Sequence, residues 1–416
     1  MSSENGGKQA IPPSITGVES SRAGSVENHI FGQGDPYTLG VEEEYQLLDA
    51  ESFDLVQHIE TMLEAVTGHE LETRINAELM QSVLEIATPI CRTAGDVMSW
   101  LTTLRSYVTG IAREQGTRVG SAGTHPFSLF ERQRITAKDR YRALIDQLQY
   151  VARRELIFGM HVHVAVDDPE KAIKVVNGLL PQLAPLLALS ASSPFWRGEP
   201  TGLASSRTMV FSAFPRSGPP PRFRDYADYA EVVGRLERAG CIADYTHIWW
   251  DIRLHPRLGT IEIRICDAVT RVEDAVAIAA YCQALVKQLC ERYEAGEEIP
   301  SYHRILTSEN KWLAARYGLD APVMDLASNR RNRIPVGRLV RRTLGEIEPH
   351  ARELGSEREL EGISAILARG SSAERQLRVY NANHDIVEVA REIADATEAL
   401  PGPSELPVEA AVVQTD

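Results

Sequence analysis

Apolar and polar residues alternate along several short stretches of the chain, with the two-residue period of a half-buried β-strand. The clearest stretch is TLGVEEEYQLL (residues 38–48). It places Glu42, Glu44 and Gln46 on one face and apolar side chains on the other, with Glu43 intruding among the apolar ones. One polar and one buried face is typical of antiparallel sheets. The pattern therefore predicts an antiparallel strand whose polar face carries two carboxylates.

Two later stretches repeat this alternation with imidazole and charged side chains. In GMHVHVAV, His161 and His163 share a face opposite valines, and in TIEIRICD (residues 260–267), Glu262 and Arg264 share a face opposite isoleucines. Both stretches are rich in strong β-formers. They predict two further strands with a polar face.

Two more acids, Glu78 and Glu85, lie seven residues apart in ELMQSVLEIATP, the second in a β-like stretch. Each pattern alone is explained by a polar sheet face turned to solvent. Glutamate is depleted in strands, however, and several carboxylates on one face repel one another unless cations lie between them. Carboxylates with some imidazole suit Mg²⁺ or Mn²⁺ better than a structural zinc, which prefers thiolates. The sequence therefore predicts a sheet face that holds divalent metal.

Helical periodicity surrounds these strands. Apolar residues recur at helical spacing between Val97 and Ala112 and between Glu273 and Glu294, and each run is followed by a glycine. The chain after Glu309 is mostly helical in pattern. Without an internal repeat or a linker-like break, the pattern predicts a single α+β domain.

The folded domain is predicted to span residues 37–400. Residues 1–36 are rich in Gly and Ser, and residues 401–416 contain three prolines and no basic residue, so both ends are predicted to be disordered. The uncharged stretch 175–196 is interrupted by prolines and polar residues. It predicts a buried helix with its exit loop rather than a membrane span.

Charge and cysteine usage narrow the function classes. The 416 residues include 44 Lys and Arg against 58 Asp and Glu, a formal net charge of −14, which argues against a primary nucleic-acid binder. The five cysteines are scattered without a CxxC motif, as in a reducing compartment, and no signal peptide is recognisable. We expect a cytoplasmic protein that binds neither nucleic acid nor membrane.

The sequence contains no Walker A, HExxH or GxSxG motif. Any nucleotide must therefore be bound through metal ions and scattered arginines. The candidates are Arg207 and Arg216 in SSRTMVFSAFPRSGPPPRF, Arg253 and Arg264. Only Arg264 is placed on the polar face by periodicity.

Four segments in consistent order, GVEEEYQLLD, ELMQSVLEIATP, GMHVHVAV and TIEIRICDAVTRVEDA, resemble the carboxylate–amine ligases of the glutamate–cysteine ligase type 2 family. The resemblance runs from about Thr38 to Leu400. This family is related to the bacterial glutamate–cysteine ligases and more distantly to glutamine synthetase. The resemblance implies a glutamine synthetase-like curved antiparallel sheet flanked by helices, with ATP and Mg²⁺ as cofactors (Mn²⁺ as an alternative) and a homodimer.

The resemblance also implies roles for individual residues. Arg264 would contact the transferring phosphate and act with Glu262 in catalysis, and Arg207 is similar to a substrate-binding arginine. His163 falls where relatives carry varied polar residues. Six residues would bind metal: Glu42, Glu44, Glu78, Glu85, His161 and Glu262.

The implied reaction transfers the γ-phosphoryl group of ATP to L-glutamate, and an amine then attacks the acyl phosphate to give an amide. Cysteine is the default acceptor, and a specialised or non-proteinogenic amino acid is the alternative. Two other classes remain open. A metal-dependent hydrolase would act without ATP, and a catalytically silent protein would bind ligand without turnover. Metal-dependent ADP release that requires an added amine separates the three.

Overall fold

The structure is a computed structural model and describes residues 25–328 and 333–402. Most of the predicted disordered ends, residues 1–24 and 403–416, lie outside the described residues. The strands are β1 (Leu39–Asp49), β2 (Ile75–Ala77), β3 (Val83–Ala87), β4 (Thr117–Gly120), β5 (Met160–Ala165), β6 (Phe195–Trp196), β7 (Glu199–Pro200), β8 (Ser217–Gly218), β9 (Trp249–Trp250), β10 (Ile252–His255), β11 (Thr260–Ile263), β12 (Pro322–Met324) and β13 (Arg333–Pro335). The helices are α1 (Ile59–Val66), α2 (Ala94–Glu114), α3 (Asp139–Leu148), α4 (Tyr150–Arg153), α5 (Pro169–Leu179), α6 (Leu183–Ser190), α7 (Ser206–Phe211), α8 (Tyr226–Arg238), α9 (Val272–Glu294), α10 (Arg304–Tyr317), α11 (Val336–Glu353), α12 (Glu357–Leu360), α13 (Gly362–Arg369), α14 (Ser372–Asn383) and α15 (Ile386–Glu398).

The main sheet brings together strands that are far apart in the chain. Its order is β10-β11-β5-β1-β3-β2, with β4 paired to the second half of β1, and all pairs are antiparallel. Glu42 on β1 lies opposite His161 on β5 and Ala87 on β3, and Glu262 on β11 lies opposite His163. The polar faces predicted separately are therefore one face of a single sheet.

The other face of the sheet packs into the core. Val41, Tyr45, Val162 and Ile261 are at most 1% exposed and face the helical layer formed by α2, α5 and α9. Burial of each such side chain contributes about 1.5–3 kcal/mol relative to exposure. α9 also contacts α11, α12 and α13, so the sheet rests on several layers of helix.

The boundaries of α2 have local causes. The Thr93 hydroxyl accepts a hydrogen bond from the Asp96 amide, and the Asp96 carboxylate accepts one from the Thr93 amide, which forms a capping box. The helix ends just before Gly116, whose φ of 69° suits glycine. This confirms the predicted helix and its stop.

One helical stretch, Pro169–Ser190, is apolar and long enough to cross a membrane, with a hydropathy of 1.5. It comprises α5 and α6, which pack against α9 and α10, and 78% of the 18-residue apolar window within it is buried. Such burial is typical of a core helix. It agrees with the prediction of a buried helix in 175–196.

The ordered chain begins earlier than predicted. Val26 and Phe31 are 1% and 7% exposed, and the Tyr226 hydroxyl donates a hydrogen bond to the Val26 carbonyl at 2.6 Å. The prediction that residues 1–36 are disordered is therefore wrong for 25–36. A few apolar anchors are enough to hold this largely exposed segment against the protein when α8 supplies a matching surface.

Candidate active site

Charged side chains form a row across the polar face of the sheet and line a cavity of about 590 Å³. Every residue predicted to bind metal lines this cavity, which brings together acids from separate strands and loops. The row consists of Arg253 (β10), Glu262 (β11), His161 and His163 (β5), Glu42 and Glu44 (β1) and Glu85 (β3), with Glu78 following β2.

Glu44 and Glu85 lie directly opposite each other on β1 and β3, an arrangement that costs free energy for like charges. Burial and then repulsion from Glu78 raise the pKa of Glu44 to about 7. Burial and repulsion from Glu78, Glu42 and Glu44 raise the pKa of Glu85 well above its usual range. Burial also raises the pKa of Glu78. A divalent cation between these carboxylates would remove the repulsion.

Glu42 lies between the two histidines. Its Oε2 is 2.9 Å from Nδ1 of His161, and its Oε1 is 3.3 Å from Nε2 of His163. Burial alone would raise the pKa of Glu42, but the hydrogen bonds to His161 and His163 hold it well below its usual range. Burial and the nearby Arg264 charge lower the pKa of His161 to about 4, which leaves this ring neutral at neutral pH.

Glu42, His163 and Glu262 can hold a metal ion together. Each offers one ligand atom, and these atoms all lie within 4.8 Å of one another. Nδ1 of His163 is 3.0 Å from the Thr260 hydroxyl, and its buried Nε2 lies 3.3 Å from Oε1 of Glu42 and 4.0 Å from Oε1 of Glu262. The prediction gave the imidazole role to His161, whereas the structure brings His163 into the three-ligand group. The carboxylate and imidazole donor set fits Mg²⁺ or Mn²⁺.

Two arginines bind the oxygens of Glu262. Nε of Arg253 donates to Oε2 at 2.7 Å, and Nη1 of Arg264 donates to Oε1. Burial opposes ionisation, but these two charges hold the pKa of Glu262 well below its usual range. β11 ends at Ile263, so the predicted strand is shorter than expected, yet Arg264 still lines the cavity with an unpartnered Nε.

Arg207 lines the cavity and supports the segment that carries Arg264. It is 5% exposed and donates to the carbonyl oxygens of Ile265 and Arg264 at 3.3 and 3.4 Å. A Cβ on Gly159 would lie 2.4 Å from Nη2 of Arg207, so a larger residue there would displace this guanidinium. The role of Arg207 in cofactor binding stays a prediction.

Arg216 lies away from the cavity, contrary to the prediction that it binds the cofactor. Its Nε donates to the His247 carbonyl at 3.0 Å, and its guanidinium lies 5.2 Å from the centre of the Trp249 ring. Trp249 lines the cavity, whereas Arg216 does not line it. A loop arginine has no periodicity that would indicate its direction.

Glu43, the acid that intrudes into the apolar face of β1, forms a buried ion pair with Arg105 on α2. Nε and Nη2 of Arg105 donate to its carboxylate at 2.9 and 2.5 Å, and Nη1 donates to the Thr270 carbonyl at 2.8 Å. Both side chains of the pair are at most 1% exposed. The pair therefore ties the central strand to α2 and to the chain after β11, and nothing in the spacing indicated it.

Glu155 is a cavity residue that the sequence patterns missed. It lies between α4 and β5 and is half-buried. Burial raises its pKa to about 8, against the opposing charge of Arg207. A single acid outside any periodic element gives no signal in the sequence.

Comparison with known sequences identifies close relatives. The model of glutamate-cysteine ligase family 2 matches residues 38–395. The chain is 44% identical over 361 residues to a protein named "Putative glutamate--cysteine ligase 2-1" from Rubrobacter xylanophilus, covering 87% of this chain and 95% of that one. It is also 44% identical over 356 residues to "Putative glutamate--cysteine ligase 2" from Sorangium cellulosum, covering 85% and 94%.

Solved structures share the fold at low sequence identity. The glutamate–cysteine ligase of Francisella tularensis, solved in complex with AMP, has a TM-score of 0.63 and 13% identity, covering 90% of both chains. A bifunctional glutathione synthetase from Pasteurella multocida has a TM-score of 0.62 and 15% identity, covering 87% of this chain and 52% of that one. These similarities, together with the antiparallel sheet and its helices, confirm the predicted α+β fold class.

Proposed function

Since the chain belongs to glutamate–cysteine ligase family 2, we propose that it joins the γ-carboxylate of L-glutamate to the amino group of an amino acid. Membership of this family makes the protein an ATP-dependent ligase, and ATP would be converted to ADP and phosphate. The observation that carries the proposal is the row of carboxylates and imidazoles on one sheet face, beside an arginine that reaches into the same cavity.

Mg²⁺ would be held by Glu42, His163 and Glu262, with Glu44 and Glu85 on the neighbouring strand pair available for a further ion. Two observations support this fit: the buried Nε2 of His163 lies 3.3 and 4.0 Å from carboxylate oxygens of Glu42 and Glu262, and the pKa values of the opposed carboxyl groups are raised. A cation bound there supplies charge neutralisation for ATP phosphates during phosphoryl transfer.

The protein's own side chains would orient and stabilise the reacting groups. The Arg264 guanidinium would neutralise charge on the transferring phosphoryl group. Arg253 holds Glu262 in place through its 2.7 Å hydrogen bond, and Arg207 fixes the backbone on which Arg264 is carried. An amine does not attack a free carboxylate at neutral pH, so phosphorylation of glutamate would create the leaving group that amide formation needs.

The acceptor is the open part of the proposal. The names of the relatives put L-cysteine first, and a specialised or non-proteinogenic amino acid is the alternative. The decisive assay measures ADP formation with Mg-ATP, L-glutamate and each of a panel of amino acids, followed by mass spectrometry of the products. A γ-glutamyl product formed with one amino acid would establish the ligase and identify its acceptor.

Glu42→Gln and Glu262→Gln should lower ADP formation by about 10³-fold or more, because each removes a charged ligand from the metal group. Glu199→Gln, at an exposed position on β7, is the matched control and should keep full activity. Unchanged turnover in Glu42→Gln would contradict the site assignment. Hydrolysis of a γ-glutamyl amide without ATP would favour the hydrolase instead, and nucleotide binding without any turnover would favour a silent binding protein.

A further inference from the structure

Glu155 is an acid of the cavity that lies off the sheet, on the segment between α4 and β5. Its Oε2 atom is buried and has no hydrogen-bond partner among the described residues. A buried carboxylate oxygen without a partner costs free energy. A ligand that supplies the missing hydrogen-bond partner would remove this cost.

A second polar atom without a partner belongs to Arg207 on α7, which lines the same cavity and is 5% exposed. Its Nη1 and Nη2 donate to backbone carbonyls and Nη1 lies 3.9 Å from Oδ1 of Asp267, whereas its Nε has no hydrogen-bond partner among the described residues. The guanidinium of Arg154 donates to the Val210 carbonyl at 3.3 Å and so holds the segment of Glu155 against α7. A carboxylate and a guanidinium, both with a free polar atom, therefore lie on adjoining parts of one wall.

This pair matches the two charges of an α-amino acid. At neutral pH an amino acid carries an ammonium group, whose charge would favour the ionised form of Glu155 and which this carboxylate would bind, and a carboxylate, which a guanidinium binds. The acids of the sheet are suited to cations of higher charge and already contact histidines and arginines. Ile157 and Phe211 line the cavity beside the pair and offer apolar contact to an aliphatic stem.

We infer that Glu155 binds the ammonium group of the acceptor amino acid and that Arg207 faces its carboxylate. The inference rests on the proposed ligase function. It assigns the acceptor to the wall formed by α7 and the segment before β5, away from the three-ligand metal group. It also sets the acceptor class as a free α-amino acid rather than a simple amine or a peptide side chain.

The test compares a charged acceptor with an uncharged one in Glu155→Gln, which keeps the side-chain shape and removes the charge. Hydroxylamine is uncharged at neutral pH and would trap the activated glutamate as a hydroxamate. We expect the KM for the amino acid selected by the panel to rise about 10- to 100-fold in this variant. Its hydroxamate rate and its KM for ATP and L-glutamate should match those of the wild type.

Glu155→Asp retains the charge and should recover part of the lost affinity for the amino acid, which a purely structural role would not require. It also preserves the test if Glu155→Gln unfolds, as a thermal melt would show. An unchanged KM for the amino acid in Glu155→Gln overturns the inference, as does an equal loss of hydroxamate formation. Absence of both ADP and hydroxamate in the wild-type protein would instead refute the ligase function itself.

Discussion

Single carboxyl groups within the cavity have pKa shifts of opposite sign, and the contacts of each decide which way it moves. The pKa values of Glu42 and Glu262 are low because histidines or arginines outweigh the effect of burial. Those of Glu44 and Glu85 are high because burial is reinforced by neighbouring acids. The protein's own side chains therefore neutralise the charge of Glu42 and Glu262 but not that of Glu44 and Glu85.

This division predicts how magnesium should stabilise the protein. A carboxyl whose pKa is raised in the folded state stabilises the fold below its ordinary pKa, and this contribution is lost as pH rises through the folded value, about 7 for Glu44. Magnesium needs the ionised form. The rise in Tm on adding MgCl₂ should therefore be larger at about pH 8.5 than at about pH 6.

Differential scanning fluorimetry with NaCl of equal ionic strength as the control measures this difference. Glu85→Gln should stabilise the metal-free protein at the higher pH, because it removes a buried carboxyl group that Glu78, Glu42 and Glu44 repel. An equal magnesium effect at both pH values would contradict the assignment of these acids to a metal site.

Residue types and spacing were enough to predict which acids of the strands line the cavity, because period-two alternation fixes the face of each side chain, but they missed Glu155, which lies outside any strand. They could not choose between His161 and His163, which share that face. The cross-strand register does not separate them either, since His161 lies opposite Glu42 and His163 opposite Glu262, and only the positions of the ligand atoms bring His163 into the three-ligand group. The direction of Arg216 was equally beyond reach, since it depends on packing against Trp249.

Among the secondary-structure elements, β1 carries charged side chains on both faces of the sheet. Its even-numbered acids face the cavity, while Glu43 reaches down to Arg105 on α2. The alternation in the sequence predicted this strand and its faces. It could not predict the ion pair, because the partner lies 62 residues away in the middle of an amphipathic helix.

Breaking this pair should destabilise the protein strongly. Arg105→Met leaves the Glu43 carboxylate buried without its partner, and we expect the free energy of unfolding to fall by about 3–5 kcal/mol. The double variant Glu43→Gln/Arg105→Met should be more stable than Arg105→Met, because no charge remains buried. Urea unfolding curves of the single and double variants give this comparison. Additive losses in the double variant would show that the two side chains are not coupled.

At the scale of the whole molecule, the segment 25–36 is hydrogen-bonded to a loop that lines the cavity. The Ser25 hydroxyl accepts a hydrogen bond from the Tyr245 amide at 3.1 Å, and Tyr245 is followed by Thr246 and His247, which line the cavity. Composition alone predicted a disordered leader for this segment. It could not show that Tyr226 on α8, a helix far away in the sequence, contacts Val26.

Deletion of residues 1–31 should therefore lower both stability and activity. It removes the buried Val26 and Phe31, worth about 1.5–3 kcal/mol each, and releases the Tyr245 backbone. We expect a Tm lower by several degrees and a higher KM for at least one substrate. Deletion of residues 1–24 is the control and should leave both unchanged. Equal behaviour of the two truncations would show that the segment does not support the site.

The order of strands in the sheet also has a consequence for biosynthesis. The opposed acids of β1 and β3 leave the ribosome early, whereas β11 with Glu262, and Arg264 directly after it, follow more than 170 residues after Glu85. Until then, the nascent chain carries a repelling pair of carboxylates without the arginines and the third ligand that complete the site. Long-range pairing of this kind slows folding and leaves sheet edges exposed. Prematurely terminated chains should therefore be targets for chaperones and proteases rather than partially active enzymes.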